Sequence, residues 1–319
     1  MLPKRSLLLA MLVLASVPAM AQTSQKPIQI FVPFAPGGSA DGIARIVAAE
    51  LSVRLNRQAF VENRPGAGGT LGVMQLAKSP PDGDTLSVAA TASLVINPHV
   101  PGAPAFDPLR EIMPVAKLID IPIVMVTNVK TGPRTVKELI DKSKATPGGL
   151  SFGTTGPTSG QRLAVELLKS MTGANLVHVP YRGSAPAVTA VLGDQIHFAS
   201  VDLTSAHPHL KSGMLTALGV TSGTRAKTAP EIPTIAEGGV PGFDGSNGYI
   251  GLFAPAGTPS DKISQLSREI AAILAKPDVQ EKIALLSVEP AYLDGAAFGA
   301  QLAADSAKWQ KVLSTLPLQ

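Results

Sequence analysis

The chain has 319 residues, with 27 Lys and Arg against 23 Asp and Glu, for a formal charge of +4 at pH 7. Aromatic residues are 4% of it and the basic residues are scattered, which argues against nucleic-acid binding through a concentrated basic face or stacking platform. Cysteine is absent, which excludes disulfides, thiolate nucleophiles and thiolate metal sites.

Residues 1–21 read as a cleaved signal peptide. Lys4 and Arg5 precede an apolar run at 7–17, and Ala19, Met20 and Ala21 form an A-x-A cleavage site. The run is too short to span a hydrocarbon core of ~30 Å comfortably, and no stop-transfer flank follows. The expected mature chain starts at Gln22 and is soluble and periplasmic. Its length suits two domains of about 150 residues each, and a chain of ~300 residues buries most of its apolar surface without disulfides.

Residues 28–34 read as a buried strand that enters the turn PGGS at 36–39. From Asp41 the period becomes helical, with Ile43, Ile46, Val47, Leu51 and Leu55 on one face. A strand at 59–61, a glycine turn at 63–69, a helix at 71–77 stopped by PPDG at 80–83, and a strand at 85–90 follow. This alternation predicts right-handed βαβ units around a mostly parallel sheet. A long β-rich stretch covers 112–126, then a helix at 136–143 and a strand at 150–154 that enters GPTSG at 156–160. Leu163, Leu167, Leu168 and Met171 form the next helix face. A strand at 176–179, a helix opened by YRGSAP at 181–186, and strands at 196–201 and 215–220 complete the middle. The halves share an architecture without a repeat period. From Pro259 the chain reads as helical to its end, in three segments starting near 260, 278 and 296. A helical tail offers no strand to a new sheet and is expected to pack back on the first lobe.

Three turns, at 35–41, 154–160 and 181–186, run directly into helices. A helix N-terminus has unpaired N–H groups and the positive end of the macrodipole, and glycine lets the backbone approach a ligand closely. In open α/β sheets such turns lie where ligands bind. A tight strand–helix turn explains any one of them; three together point to a cleft. Ser39 and Asp41 fit N-cap roles as well as ligand contacts, and Ser184 ahead of Pro186 is a good cap. Arg182 fits a ligand carboxylate, a solvated position or an inter-lobe ion pair. Asp202 either caps the turn at 203–206 or accepts from an amine or amide of a ligand.

Catalytic patterns are missing. There is no G-x-S-x-G elbow and no P-loop, and Leu71 breaks the G-x-G-x-x-G spacing among Gly66, Gly68, Gly69 and Gly72. The close pair His207 and His209 has no carboxylate at metal-ligand spacing. No catalytic residue, metal or cofactor is expected.

Motifs over the whole expected mature chain carry a family resemblance: VPFAPGGSAD at 32–41, VENRPGAGG at 61–69, PPDG at 80–83, INP at 96–98, HVPYRGSAP at 178–186, VTS at 220–222, IPTIAEGGVPG at 232–242 and LFAPAGTP at 252–259. The chain resembles the periplasmic solute-binding receptors of tripartite tricarboxylate transporters, the Bug or TctC type. The resemblance implies an α/β, type II-like Venus-flytrap fold of two lobes, with crossings near 122–127 and 245–253. Lobe 1 would comprise 22–124 and 249–319, with the helical tail on it, and lobe 2 would comprise 125–248. It also implies that a ligand carboxylate is held by main-chain N–H groups and water at the first turn: Phe34, Ala35, Gly37, Gly38, Ser39, Ala40 and Asp41, with Thr91 nearby. Thr155, Thr158, Ser159, Tyr181, Arg182, Gly183 and Asp202 would contribute from lobe 2. The implied partners are a small carboxylate-bearing solute and, transiently, membrane transporter subunits, with the receptor a monomer. The alternatives are a sensor partner of a membrane signalling protein and, last, a cleft enzyme. The chain departs from the family pattern at Tyr249-Ile250-Gly251, where a Trp is common, and at Leu203, where Asn often follows the Asp.

Overall fold

The computed structural model describes residues 26–34, 36–100, 102–245 and 247–315; the expected signal segment and Ala35 lie outside them. The chain opens with β1 (Ile28–Val32), α1 (Ser39–Arg54), β2 (Ala59–Asn63), α2 (Thr70–Ala77) and β3 (Thr85–Ala90). A wide turn at 92–96 and the short α3 (Pro108–Glu111) lead to β4 (Ile112–Ile121). The expected β-rich stretch is two strands. Pro122, which has no N–H to give a ladder, separates β4 from β5 (Ile123–Asn128). Next come α4 (Val136–Ala145), β6 (Leu150–Thr154), α5 (Gly160–Thr172), β7 (Leu176–Pro180) and α6 (Ser184–Leu192). They are followed by β8 (Phe198–Asp202), α7 (Leu203–Lys211) and β9 (Leu215–Val220). The chain ends with β10 (Gly248–Pro255), α8 (Ser260–Leu274), α9 (Pro277–Leu285), β11 (Glu289–Asp294) and α10 (Gly295–Thr315).

The strands form two sheets, ordered β11-β4-β10-β3-β1-β2 and β7-β6-β8-β5-β9. Apart from β11 the two share one topology. Three parallel strands joined by helices (β2-β1-β3 and β7-β6-β8) are extended by an antiparallel strand, β10 or β5. A further strand, β4 or β9, runs antiparallel to that one. The sheets are therefore mixed rather than mostly parallel. β5 comes from β4 of the first sheet into the second and runs antiparallel to both of its neighbours there, β8 and β9.

The tail is not purely helical, as β11 pairs antiparallel with the outer edge of β4. Its exposure alternates residue by residue, and Pro290 is tolerated because the strand is an edge with a register break beside it. Helices α1, α8 and α9 cover one face of the first sheet through Ile43, Val47, Leu51, Ile270 and Ile283. α2, α10 and the 92–96 turn cover the other through Val73, Leu76, Ile96, Phe298 and Trp309, so the tail packs on the first lobe. The second sheet lies between α6 and α7 on one side and α4 and α5 on the other.

The lobes touch at named points. Leu163 of α5 is buried in the first-lobe cluster with Ile96. Thr204 Oγ1 donates to Leu286 O at 2.9 Å, the Thr228 N–H to Glu289 Oε1 at 3.1 Å, and Lys308 Nζ to Asp244 O at 3.2 Å.

Candidate functional site

β1 delivers the chain into the 33–38 turn, and α1 begins behind it with Gly38 as N-cap. Asp41, in the first turn of α1, is buried. It accepts from the Gly37 N–H (3.0 Å), Arg45 Nε (3.0 Å) and Asn63 Nδ2 (2.9 Å). The Asn63 amide also donates to Phe34 O at 3.2 Å. Asp41 thus fastens the turn to its own helix and to the end of β2. Burial pushes its carboxyl pKa up, but the hydrogen bonds from Arg45, Gly37 and Asn63 outweigh burial and hold it below the usual value.

The N–H groups of Gly38, Ser39 and Ala40 lie in the first turn of α1, where no carbonyl of the helix reaches them. No side chain caps this end, and the positive end of the helix dipole stands behind it. Gly37 has φ +91°, a conformation that favours glycine. Gly38 does not: its φ is −84°, and a Cβ there would meet nothing within 4 Å. Neither backbone nor packing demands a glycine at 38, and its absent side chain leaves the helix N-terminus open. The Phe34 ring lies over Gly69, where a Cβ would come within 3.0 Å of Phe34 Cζ, so the ring walls the turn.

In the second lobe three elements converge. Ser159 caps α5 by accepting from the Arg162 N–H at 3.3 Å and donates its own proton to Gly156 O at 2.9 Å. Thr154 Oγ1 donates to Gly156 O at 3.0 Å and bonds His178 Nε2 at 2.7 Å. Thr155 Oγ1 donates to Gln161 Oε1 (3.0 Å), Gln161 Nε2 to Asp202 Oδ1 (2.6 Å), and the Asp202 N–H to Ser184 Oγ (3.1 Å). One chain of hydrogen bonds thereby joins the starts of α5 and α6 to the end of β8. Asp202 precedes α7 without a side-chain cap bond, because its carboxyl turns to Gln161 instead. Burial raises the Asp202 pKa, while the hydrogen bonds from Gln161 and Ser184 oppose the rise.

The Tyr181 N–H donates to Thr154 O at 3.0 Å, which brings the 181–183 turn beside the 154–160 turn. Gly183 is the N-cap of α6 with φ +134°, and Thr158 is half-buried in the turn ahead of α5. Arg182 is exposed and has no hydrogen-bond or ion-pair partner among the described residues. Thr91, just past the end of β3, is buried: its Oγ1 accepts from the Tyr249 N–H at 2.8 Å and ties β3 to β10. Among the described residues no hydrogen bond joins the 34–41 turn to the second-lobe group.

The sequence reading did not single out Gln161, Asn63 or Asn97 as individual site residues. Asn97 Nδ2 donates to Thr70 Oγ1 at 3.0 Å, and its Oδ1 is buried without a hydrogen-bond partner among the described residues. The motifs containing Asn63 and Asn97 were the available signal; for Gln161 there was none beyond its place behind a serine cap.

The family model for the tripartite tricarboxylate transporter family receptor matches residues 43–318. BugT of Bordetella pertussis is 36% identical over 270 residues, which cover 83% of this chain and 81% of that protein. An R. palustris protein solved with adipate has a TM-score of 0.82 at 30% identity, covering 91% of this chain and 96% of that one. MatC from Rhodopseudomonas palustris, solved with bound malate, has a TM-score of 0.77 at 27% identity over 90% and 98% of the two chains. The chain therefore belongs to the tripartite tricarboxylate transporter family of receptors.

Proposed function

We propose that this protein is a periplasmic receptor that captures a small carboxylate between its lobes and hands it to a membrane transporter. The observation that carries this reading is the open N-terminus of α1 at Gly38, where three N–H groups face space that no side chain among the described residues fills. The adipate and malate on two relatives support a carboxylate as the solute class. One carboxylate binds at residues 34–41, and the second lobe contributes Thr155, Thr158, Ser159, Tyr181, Arg182, Gly183 and Asp202. The unpaired Arg182 suits a second carboxylate.

Lobe 1 (22–124 and 249–319) and lobe 2 (125–248) close about the segments near Pro122 and Gly248. Closure follows only where the solute favours the closed arrangement over the open one. The cleft binds rather than transforms: the Ser159 hydroxyl proton goes to Gly156 O and not to a base, so the serine at the α5 cap is not an activated nucleophile.

The test is a thermal-shift panel of C4–C6 mono- and dicarboxylates, followed by small-angle scattering at saturation. A solute at 100 times its Kd adds about 2.7 kcal/mol to stability. If no carboxylate of the panel raises Tm, the solute class is wrong; an unchanged radius of gyration at saturation overturns closure.

A further inference from the structure

A cavity of about 280 Å³ lies on the α10 face of the first sheet, away from the carboxylate turn. First-lobe residues of β4, β10 and α10 line it (Lys117, Asp120, Tyr249, Gln301, Asp305), and the 222–224 loop with Asp244 closes it from the second lobe. None of the proposed cleft residues takes part.

Two buried polar atoms of its wall have acceptor capacity that nothing fills. Tyr249 is 3% exposed; the Asp305 carboxylate stands ready to take its proton, and no donor among the described residues reaches its oxygen. Asn247 Oδ1, also in the wall, is buried with no hydrogen-bond partner among the described residues. A native interior rarely leaves such groups unpaired without a ligand or water to serve them. Burial first, and then the charge of Asp305 and the hydrogen bond to it, lift the Tyr249 pKa well above its ordinary value, so the phenol stays neutral.

The charges of the wall select the occupant. Lys117 Nζ is 2.7 Å from Asp120 Oδ1, and this pair balances itself. Asp305 accepts from Gln301 Nε2 at 3.3 Å, and Lys308 Nζ stands 3.9 Å from the Asp244 carboxylate. Asp120 and Asp244 are thus each paired with a lysine, whereas the Asp305 carboxylate has no ion-pair partner among the described residues, and Asn247 Oδ1 adds a neutral acceptor. This field repels an anion and suits a cation rich in N–H donors. No group of three or more His, Cys, Asp or Glu among the described residues is placed to hold a metal ion, so the donors fit an organic cation better than a metal.

We propose that this cavity is a second binding site, for a small primary ammonium cation, separate from the carboxylate cleft. Its N–H groups are received by the Tyr249 hydroxyl oxygen, Asn247 Oδ1 and the Asp305 carboxylate. Because both lobes line the cavity, the bound cation bridges them.

Ethylammonium chloride titrated at constant chloride is the probe, read by the backbone amide NMR signals of Gly223, Gly248 and Tyr249. Saturable shifts centred on these amides are expected, at least tenfold weaker in Asp305→Asn and weaker in Tyr249→Phe, which removes only the hydroxyl. Gly38→Ser, which alters the carboxylate cleft, leaves the titration unchanged. Non-saturating shifts, or equal affinity in the wild type and in Tyr249→Phe and Asp305→Asn, overturn the site. Shifts matched by sodium chloride show a simple ionic-strength effect and overturn it as well. If Asp305→Asn fails to fold, Tyr249→Phe alone decides.

Discussion

Gly38→Ser sets the two reasons for a glycine at a helix start against each other. Gly38 already has the extended backbone of an N-cap, φ −84° and ψ 173°, and a Cβ there meets nothing within 4 Å. Serine ranks above glycine as an N-cap by a few tenths of a kcal/mol. The ligand-free variant is therefore expected to melt within about 1 °C of the wild type, or slightly above it. Binding moves the other way. The serine Oγ accepts an N–H of the first turn of α1 and occupies the space in front of it. A carboxylate then loses one charge-assisted hydrogen bond of about 1.5–3 kcal/mol, and its Kd rises about 10- to 150-fold. Calorimetric titration with the panel carboxylate that most stabilises the wild type, beside melting of both ligand-free proteins, decides it. A melting point several degrees lower would show that the glycine is structural. An unchanged Kd at unchanged Tm would place the carboxylate elsewhere.

Gln161→Leu keeps the side-chain bulk but strips Thr155 and the half-buried Asp202 carboxyl of their partner. It is expected to cost about 1–3 kcal/mol in urea unfolding; no loss would show that the hydrogen-bond chain is ornamental to the second lobe. Gly251→Ala drives a methyl to 2.1 Å from Cε1 of the fully buried Phe298 ring and is expected to cost about 1–3 kcal/mol by overpacking, partly recovered by Phe298→Leu. Recovery failing in the double variant would move the fault from the ring to the strand. Burial first, and then the charge of Arg162, lower the His178 pKa from 6.5 to about 4. The unfolded chain thus takes up a proton that the folded one refuses. Stability is intact above pH 6.5 and falls as pH drops from 6.5 toward 4, by about 1–2 kcal/mol once the half-open ring is discounted for solvent screening. Urea midpoints from pH 7 to 4 in wild type and His178→Gln test this, and equal slopes in the two would refute it.

Strands at 85–90 and 150–154 are legible to the residue, because each is a largely apolar run entered from a turn rich in glycine and proline. β11 is not, since a half-exposed edge strand has no continuous apolar run and carries Pro290. The two β-strands at 112–128 merge in sequence because one proline alone divides them. The three turns of the site are legible as helix starts, since glycine, serine and proline punctuate locally. What lies beyond a turn's own span is not. Asp41 with Asn63, and Asp202 with Gln161, are pairings 22 and 41 residues apart that no spacing rule connects. An acidic residue at the head of a helix reads as a cap or a ligand contact, and in both cases here its carboxyl also holds the frame.

Glycine shows the same limit more sharply, because one letter stands for different causes. Gly37 is set by a positive φ, and Gly251 by the Phe298 ring that presses on it. Gly38 has neither cause. Local stability alone would favour a serine there, since serine caps the helix better and nothing blocks it. Glycine at this position therefore forgoes stability, and the cause left standing is access to the N–H groups of α1. That elimination makes the open helix end, rather than any charged side chain, the strongest physical argument for a carboxylate site in this chain.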